Sequence, residues 1–248
     1  SRHCANYLSM KRSLSPTQTS IPWKRQKTQE EEETSEKRFI EPLVVQKKEL
    51  TQGKVHYYPK FLTKSFSRIL FKHLSNDVTF NQSTIKVYGK EFNTPRLQNW
   101  MSDPGVKAQL YQSGEALPWS EEILELKNKL EEVTGGSFDY VLLNWYREGT
   151  DYISYHSDSE AIGEGKNIIA SVSLGCSRKF YLRHNKWKEN SIPKEEFILS
   201  EGSLLVMLGD DTQKYWKHTV PKTKKKIGGR FNLTFRHSQI LINTLFVT

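Results

Sequence analysis

His156-Ser157-Asp158 is the first place in the chain where residue type and spacing could do chemistry. On an extended segment, residues i and i+2 point the same way, so an imidazole and a carboxylate can converge on one ion. A second histidine would complete a two-His-one-carboxylate facial triad, which leaves open positions on a non-haem iron. The pair alone is common, and a surface loop with a His and an Asp reads the same way. His218, far down the chain, is the candidate third ligand. After it comes Arg230-Phe231-Asn232-Leu233-Thr234-Phe235-Arg236, in which two arginines, an amide and a hydroxyl alternate with apolar residues. As a strand, this segment puts all four polar side chains on one face. An edge strand with one face in water is one explanation. A barrel lumen holding a dicarboxylate is the better one, because buried charge must be paired and guanidinium groups bind carboxylates bidentately. Asn144 and Tyr146 also share a face, as further donors to a bound acid or as ordinary core polar groups.

These residues need a scaffold. Phe66, Ile69, Leu70 and Leu74 recur at helical spacing over 63–74, and Ile123, Leu126, Leu130 and Val133 do so over 120–133. Ser120 stands at the N-cap position of the second helix, and Gly135-Gly136 ends it. Beyond it come short β-rich runs at 138–146, 168–174, 179–183, 196–199, 203–208 and 230–236. Closely spaced strands with Gly and Asn punctuation predict a barrel or sandwich, here preceded by helices, an α+β chain. No internal repeat is visible.

The 248 residues have room for one domain of about 200 residues and a tail. Residues 1–38 are rich in Ser, Thr, Gln and charge and predict disorder, since they cannot bury enough apolar surface to offset their ordering entropy. Lys11-Arg12 and, after eleven intervening residues, Lys24-Arg25-Gln26-Lys27 resemble a bipartite nuclear-import signal, which predicts an import receptor as partner and a nuclear location. A solvated basic tail is the plainer alternative. The chain's net charge is +9, and the tail to Arg38, with eight Lys/Arg against five Glu, leaves the body basic too. A basic balance favours a polyanionic partner. Cys4 and Cys176, far apart and without a CxxC spacing, argue against a disulfide framework or a thiolate zinc site and for a reducing compartment. No apolar run is long enough for a membrane span, and the N-terminus has no continuous apolar segment of the secretory kind.

Taken together, His156-x-Asp158, His218 and Arg230-x-Asn232-x-Thr234-x-Arg236, with Asn144-x-Tyr146 upstream, resemble the signature of the AlkB family of dioxygenases over about residues 78–238. The resemblance implies a double-stranded β-helix (jelly-roll) core in a domain spanning 39–248, with a nucleotide-recognition lid. It implies Fe(II) held by His156, Asp158 and His218, with 2-oxoglutarate as cosubstrate, O2 as oxidant and ascorbate as the reductant for assays. Arg230 would pair with the distal carboxylate of 2-oxoglutarate and Arg236 would sit near its metal-chelating end. Asn144 and Tyr146 would add hydrogen bonds, with Asn232 and Thr234 supporting the pocket. The implied reaction hydroxylates an alkyl carbon on a base nitrogen, releasing an aldehyde and the repaired base.

An oxidant inside a barrel cannot reach a stacked base, so the target must be single-stranded or flipped out. Ile85-Lys86-Val87-Tyr88-Gly89-Lys90 resembles the finger of the family's duplex-DNA branch, with Val87, Tyr88 and Gly89 at its tip and Tyr88 as the wedge. A plain strand ending at Gly89 is the alternative. Arg96 lies in Thr94-Pro95-Arg96-Leu97-Gln98, which resembles the segment after the finger. Lys222, Lys224, Lys225 and Lys226 follow His218 closely, as phosphate contacts or a merely solvated loop. Glu160 resembles a residue that recognises the exocyclic amine of a flipped base. Tyr111 is a candidate lid over that base, and His156 could stack on its other face. The expectation is a monomeric, membrane-free demethylase of N1-methyladenine and N3-methylcytosine in duplex DNA. A single-strand DNA or RNA demethylase and a non-catalytic DNA-binding homologue are the alternatives.

Overall fold

The computed structural model describes residues 37–87, 89–106, 115–158 and 167–238, except for the side chains of 85–87. Within them lie β1 (Gln46–Leu50), β2 (Gly53–Tyr58), α1 (Lys64–Asn76), β3 (Asn81–Val87), β4 (Lys90–Ser102), α2 (Glu121–Thr134) and β5 (Tyr140–Tyr146). There follow β6 (Ile153–His156), β7 (Ile168–Gly175), β8 (Arg178–His184), β9 (Glu195–Leu199), β10 (Leu204–Leu208), α3 (Asp210–Tyr215), β11 (Trp216–Val220) and β12 (Arg230–Arg236).

Both helices read from periodicity are present. Thr63 caps α1, its hydroxyl accepting from the Phe66 N–H at 3.2 Å. Ser120 stands at the N-cap of α2 without a side-chain cap bond, so that end relies on Glu121 and Glu122 against the helix dipole. Gly135 closes α2 with φ of 69°, the left-handed conformation that favours glycine. The expectation that strands only follow the helices is corrected, since four strands precede α2. β1 was illegible because nearly all of its side chains are exposed, and β4 because its outer half is polar and Pro95 interrupts it.

Two antiparallel sheets form the jelly roll. The larger runs β1-β2-β10-β7-β12-β5-β4-β3, and the smaller runs β6-β11-β8-β9. β12 is central, with Arg230 opposite Tyr146 and Gly175, and Asn232 opposite Asn144 and Ser173. That arrangement removes the edge-strand explanation for its polar face. Its apolar face, Phe231, Leu233 and Phe235, is buried with Phe66, Leu70, Leu126 and Leu130 of the two helices. Each such side chain contributes about 1.5–3 kcal/mol by leaving water. The other side of the large sheet faces the small one across a second core of Val55, Ile169, Phe180, Leu182, Leu205 and Trp216. The helices thus close one face, and the functional residues occupy the space between the sheets.

Among the described residues no helix is long and apolar enough to cross a membrane. Residues 1–36 of the basic tail, with both basic clusters, and Tyr88, Tyr111 and Glu160 lie outside the described residues.

Candidate metal centre and acid pocket

His156 ends β6 and His218 lies on β11, directly opposite it in the sheet register. Asp158 follows two residues after His156, its backbone N–H donating to Gln213 Oε1 at 3.1 Å. The three offer ligand atoms that all lie within 4.8 Å of one another. Asp158 Oδ1 stands 3.6 Å from His156 Nε2 and Oδ2 stands 3.6 Å from His218 Nε2, too long for direct hydrogen bonds. The Ser154 carbonyl is 2.9 Å from His156 Nδ1, so that nitrogen carries the proton and Nε2 keeps its lone pair. Phe180 stacks on the His218 ring at 5.4 Å, setting an orientation that no hydrogen bond at Nδ1 supplies.

Electrostatics favour a cation here. Burial pushes His218 down to about 3, against an opposing pull from Asp158, so its imidazole is neutral at physiological pH. Burial lowers His156 as well. Burial works to raise Asp158, but Arg236 and the two histidines outweigh it and hold the carboxyl below its usual range. Neutral imidazoles and an ionised carboxylate are the forms that bind metal. Asp158 Oδ2 is a buried acceptor without a hydrogen-bond partner, which a metal ion would satisfy. The donor set fits a divalent iron.

These shifts have a sign. Unfolded His218 takes a proton near pH 6.5 that the folded residue refuses, so stability is expected to fall as pH drops from there toward 3. The slope is at most about 1.4 kcal/mol per pH unit. Asp158 adds to the loss at lower pH, because its folded carboxyl is depressed. Urea melts of chelated protein at pH 7, 5.5 and 4.5 would read it, and His218→Leu should flatten the dependence. An unchanged slope in that variant would refute the assignment.

Beside the triad, the inner face of the large sheet supplies the acid pocket. Asn144, Tyr146, Arg230, Asn232, Thr234 and Arg236 line one cavity together with His156, Asp158 and His218. Arg230 is 1% exposed, donates Nη2 to Ser173 Oγ at 3.0 Å, and has no partner at Nε or Nη1. Burial pushes it down to about 10, so it remains a cation. Asn144 Oδ1 accepts from Arg96 Nε at 2.9 Å and Gln98 Nε2 at 3.0 Å, which leaves its Nδ2 as the donor. Asn232 Nδ2 donates to Ser171 Oγ at 2.7 Å, and Thr234 Oγ1 donates to Asn232 Oδ1 at 3.2 Å. Arg236 Nη2 donates to Asp158 Oδ1 at 2.9 Å, which places it on the ligand carboxylate.

The expected DNA contacts divide. β3 and β4 form a hairpin with Val87 opposite Lys90 and Gly89 exposed in the turn at φ of 77°. Lys90 is exposed, as are Lys222, Lys224, Lys225 and Lys226. Arg96, another of the expected DNA contacts, lines the cavity and donates to Asn144. Sequence reasoning missed Ser171, Ser173, Gln98 and Gln213. The two serines were readable as inward positions of β7, the amide of Gln98 as an inward position of β4, while nothing announced Gln213.

Comparison with known proteins agrees with this geometry. The description 2OG-Fe(II) oxygenase superfamily matches residues 54–236. The DNA oxidative demethylase ALKBH2 of Arabidopsis thaliana is 34% identical over 206 residues, covering 73% of this chain and 65% of that protein. ALKBH2 of Homo sapiens is 32% identical over 189 residues, covering 72% and 71%. The human alpha-ketoglutarate-dependent dioxygenase alkB homolog 3 is 33% identical over 191 residues, covering 74% and 66%. The solved structure of OsALKBH1, at 14% identity and a TM-score of 0.54, covers 77% of this chain and 100% of that one and shares the fold. Enzymes of this superfamily use Fe(II), 2-oxoglutarate and O2. Since the match runs from β2 to the last residue of β12, this chain belongs to the 2OG-Fe(II) oxygenase superfamily, in its AlkB branch.

Proposed function

We propose that this chain oxidatively demethylates N1-methyladenine and N3-methylcytosine in DNA, with a preference for duplex. The observation that carries the reading is the shared cavity: the triad and the unspent donors of Arg230 open onto one buried space. The relatives named DNA oxidative demethylases support DNA as the substrate. Bound at His156, Asp158 and His218, Fe(II) supplies the oxidising power, drawn from O2 and 2-oxoglutarate, that hydroxylates the methyl carbon.

The side chains do the positioning. Arg230 grips the distal carboxylate of 2-oxoglutarate through two parallel N–H bonds, and Tyr146 and the Nδ2 of Asn144 add donors. Arg236 fixes Oδ1 of Asp158, which leaves Oδ2 as the oxygen that would hold the metal. Phe180, Met207 and Val220 make the rest of the wall apolar, which keeps water from the site. The hydroxylated carbon then leaves its nitrogen as formaldehyde, with CO2 and succinate as the other products. The hairpin carrying Tyr88 enters the stack, Glu160 and Tyr111 meet the flipped base, and the exposed lysines after His218 hold phosphates.

The test is formaldehyde release with Fe(II), ascorbate and 2-oxoglutarate on matched methylated duplex DNA, single-stranded DNA and RNA. Release from duplex is expected to exceed the others, and none from any substrate would overturn the proposal. Tyr88→Ala should lower kcat/KM on duplex by about tenfold and leave single strands within about twofold, since only the duplex needs the vacated stack filled. An equal effect on both substrates would make single-stranded nucleic acid the target.

A further inference from the structure

Arg178 begins β8 on its inward face, in line with Phe180 and Leu182, and is 4% exposed. A guanidinium at that depth usually pairs with a carboxylate. Here the nearest carboxylate in the turn, Asp151, is already held by Arg147 at 2.8 and 3.0 Å. Arg178 instead donates to backbone carbonyls: Asp151 O at 2.8 Å, Pro221 O at 2.7 Å, and more loosely Glu148 O at 3.3 Å and Gly149 O at 3.4 Å. Side chains can move away from a cation, but these carbonyls belong to two chain segments whose relative position the arginine thereby sets. One segment is the 147–151 turn, which leads from Tyr146 into the strand that ends at His156. The other begins the lysine-bearing loop after β11.

The two segments touch each other directly as well. The Thr223 N–H donates to Gly149 O at 2.9 Å. A Cβ on Gly149 would stand 2.8 Å from both Thr223 O and Lys225 O, closer than real side chains come. Thr223 is half-buried while Lys222, Lys224, Lys225 and Lys226 around it are exposed. Lys222 Nζ lies 4.4 Å over the Tyr152 ring, which ties the loop to the far end of the turn. The loop is therefore seated by its backbone, and its charges are presented outward from a fixed base.

We propose that Arg178 is a positioning residue for the phosphate grip: it locks the lysine loop onto the turn beside the acid pocket, so that phosphodiester contacts and the reactive centre keep one spacing. The inference rests on the proposed role of that loop in binding DNA. A contact that holds a preorganised cationic surface spares the ordering cost that a floppy lysine loop would meet on binding.

The test uses the full chain with Gly149→Ala, Arg178→Lys and a Lys224→Gln/Lys225→Gln/Lys226→Gln triple variant, assayed on methylated duplex across a salt series. Gly149→Ala, which leaves every proposed ligand in place, should raise KM for duplex about tenfold with kcat and the KM for 2-oxoglutarate within about twofold. Arg178→Lys should raise the duplex KM in the same way, and both should lower the slope of log KM against log salt by about 1 or more. A role in stability alone would instead reduce the active fraction, lowering kcat at constant KM, and that result overturns the inference. So does an unchanged duplex KM in Gly149→Ala, whether or not Arg178→Lys folds. If the triple-lysine variant itself keeps its KM and salt slope, the DNA role of the loop fails. If it loses them while Gly149→Ala does not, only the positioning role fails.

Discussion

Asp158→Ala is expected to reduce formaldehyde release to below about a thousandth of the wild-type rate while leaving DNA binding near its normal strength. The carboxylate is 5% exposed and is the only anion facing the two imidazoles and Arg236 in the described pocket. Without it the proposed iron site would be neutral, and Arg236 would be left at its inner end without the bond to Oδ1. Breaking a buried pair by removing one partner costs about 3–5 kcal/mol, so the variant should also unfold at lower denaturant. The double variant Asp158→Ala/Arg236→Met separates the two effects. It should recover part of the stability and none of the activity. Substantial turnover by the single variant, with iron bound, would remove Asp158 from the ligand set.

Arg230→Met is expected to raise the KM for 2-oxoglutarate by about a hundredfold or more, since truncating one side of a buried charged pair costs about 2–5 kcal/mol. The same change should leave the cosubstrate-free protein as stable as wild type or more so. Arg230 is a fully buried cation with one hydrogen bond, to Ser173, the Tyr146 ring 5.2 Å from its guanidinium, and Nε and Nη1 unspent, so its replacement by an apolar side chain of similar length relieves a charge only partly compensated. Thermal unfolding with and without 2-oxoglutarate should therefore show the wild type gaining stability from the cosubstrate and the variant losing that gain. A lower melting temperature without cosubstrate, together with a KM within threefold of wild type, would make Arg230 a structural residue.

Much of this site was legible because it is built from local alternation. In β12 every second residue is polar, so its face could be read without knowing the neighbours, and the structure then set Asn144, Tyr146, Ser171 and Ser173 beside it. His156 and Asp158 were legible for the same reason. Arg178 was not, because its partners are backbone carbonyls from two stretches of chain far from it in sequence, which leave no mark in composition or spacing. Arg96 was read only from its place after the hairpin, which says nothing of where its side chain points. Its side chain turns inward because β4 pairs with β5 in a register that sets Gln98 opposite Asn144. The early strands β1 and β2 escaped notice for a further reason: they join the large sheet through β10, some 150 residues later in the chain.

That strand order also dictates when the site can exist. β2 must wait for β10, and β12 must dock between β5 and β7, before the inner face has both walls. During synthesis His156 and Asp158 appear well ahead of His218 and the two arginines, with the pocket that would hold them still open to water. The strands that carry the two histidines pair within the small sheet, but the arginines that complete the pocket arrive only with β12. Pairing between such distant segments also makes folding slow relative to a helical domain of the same size. Until β12 is in place the large sheet lacks its centre, and a truncation that removes β12 is expected to take the pocket's arginines and the fold in one step.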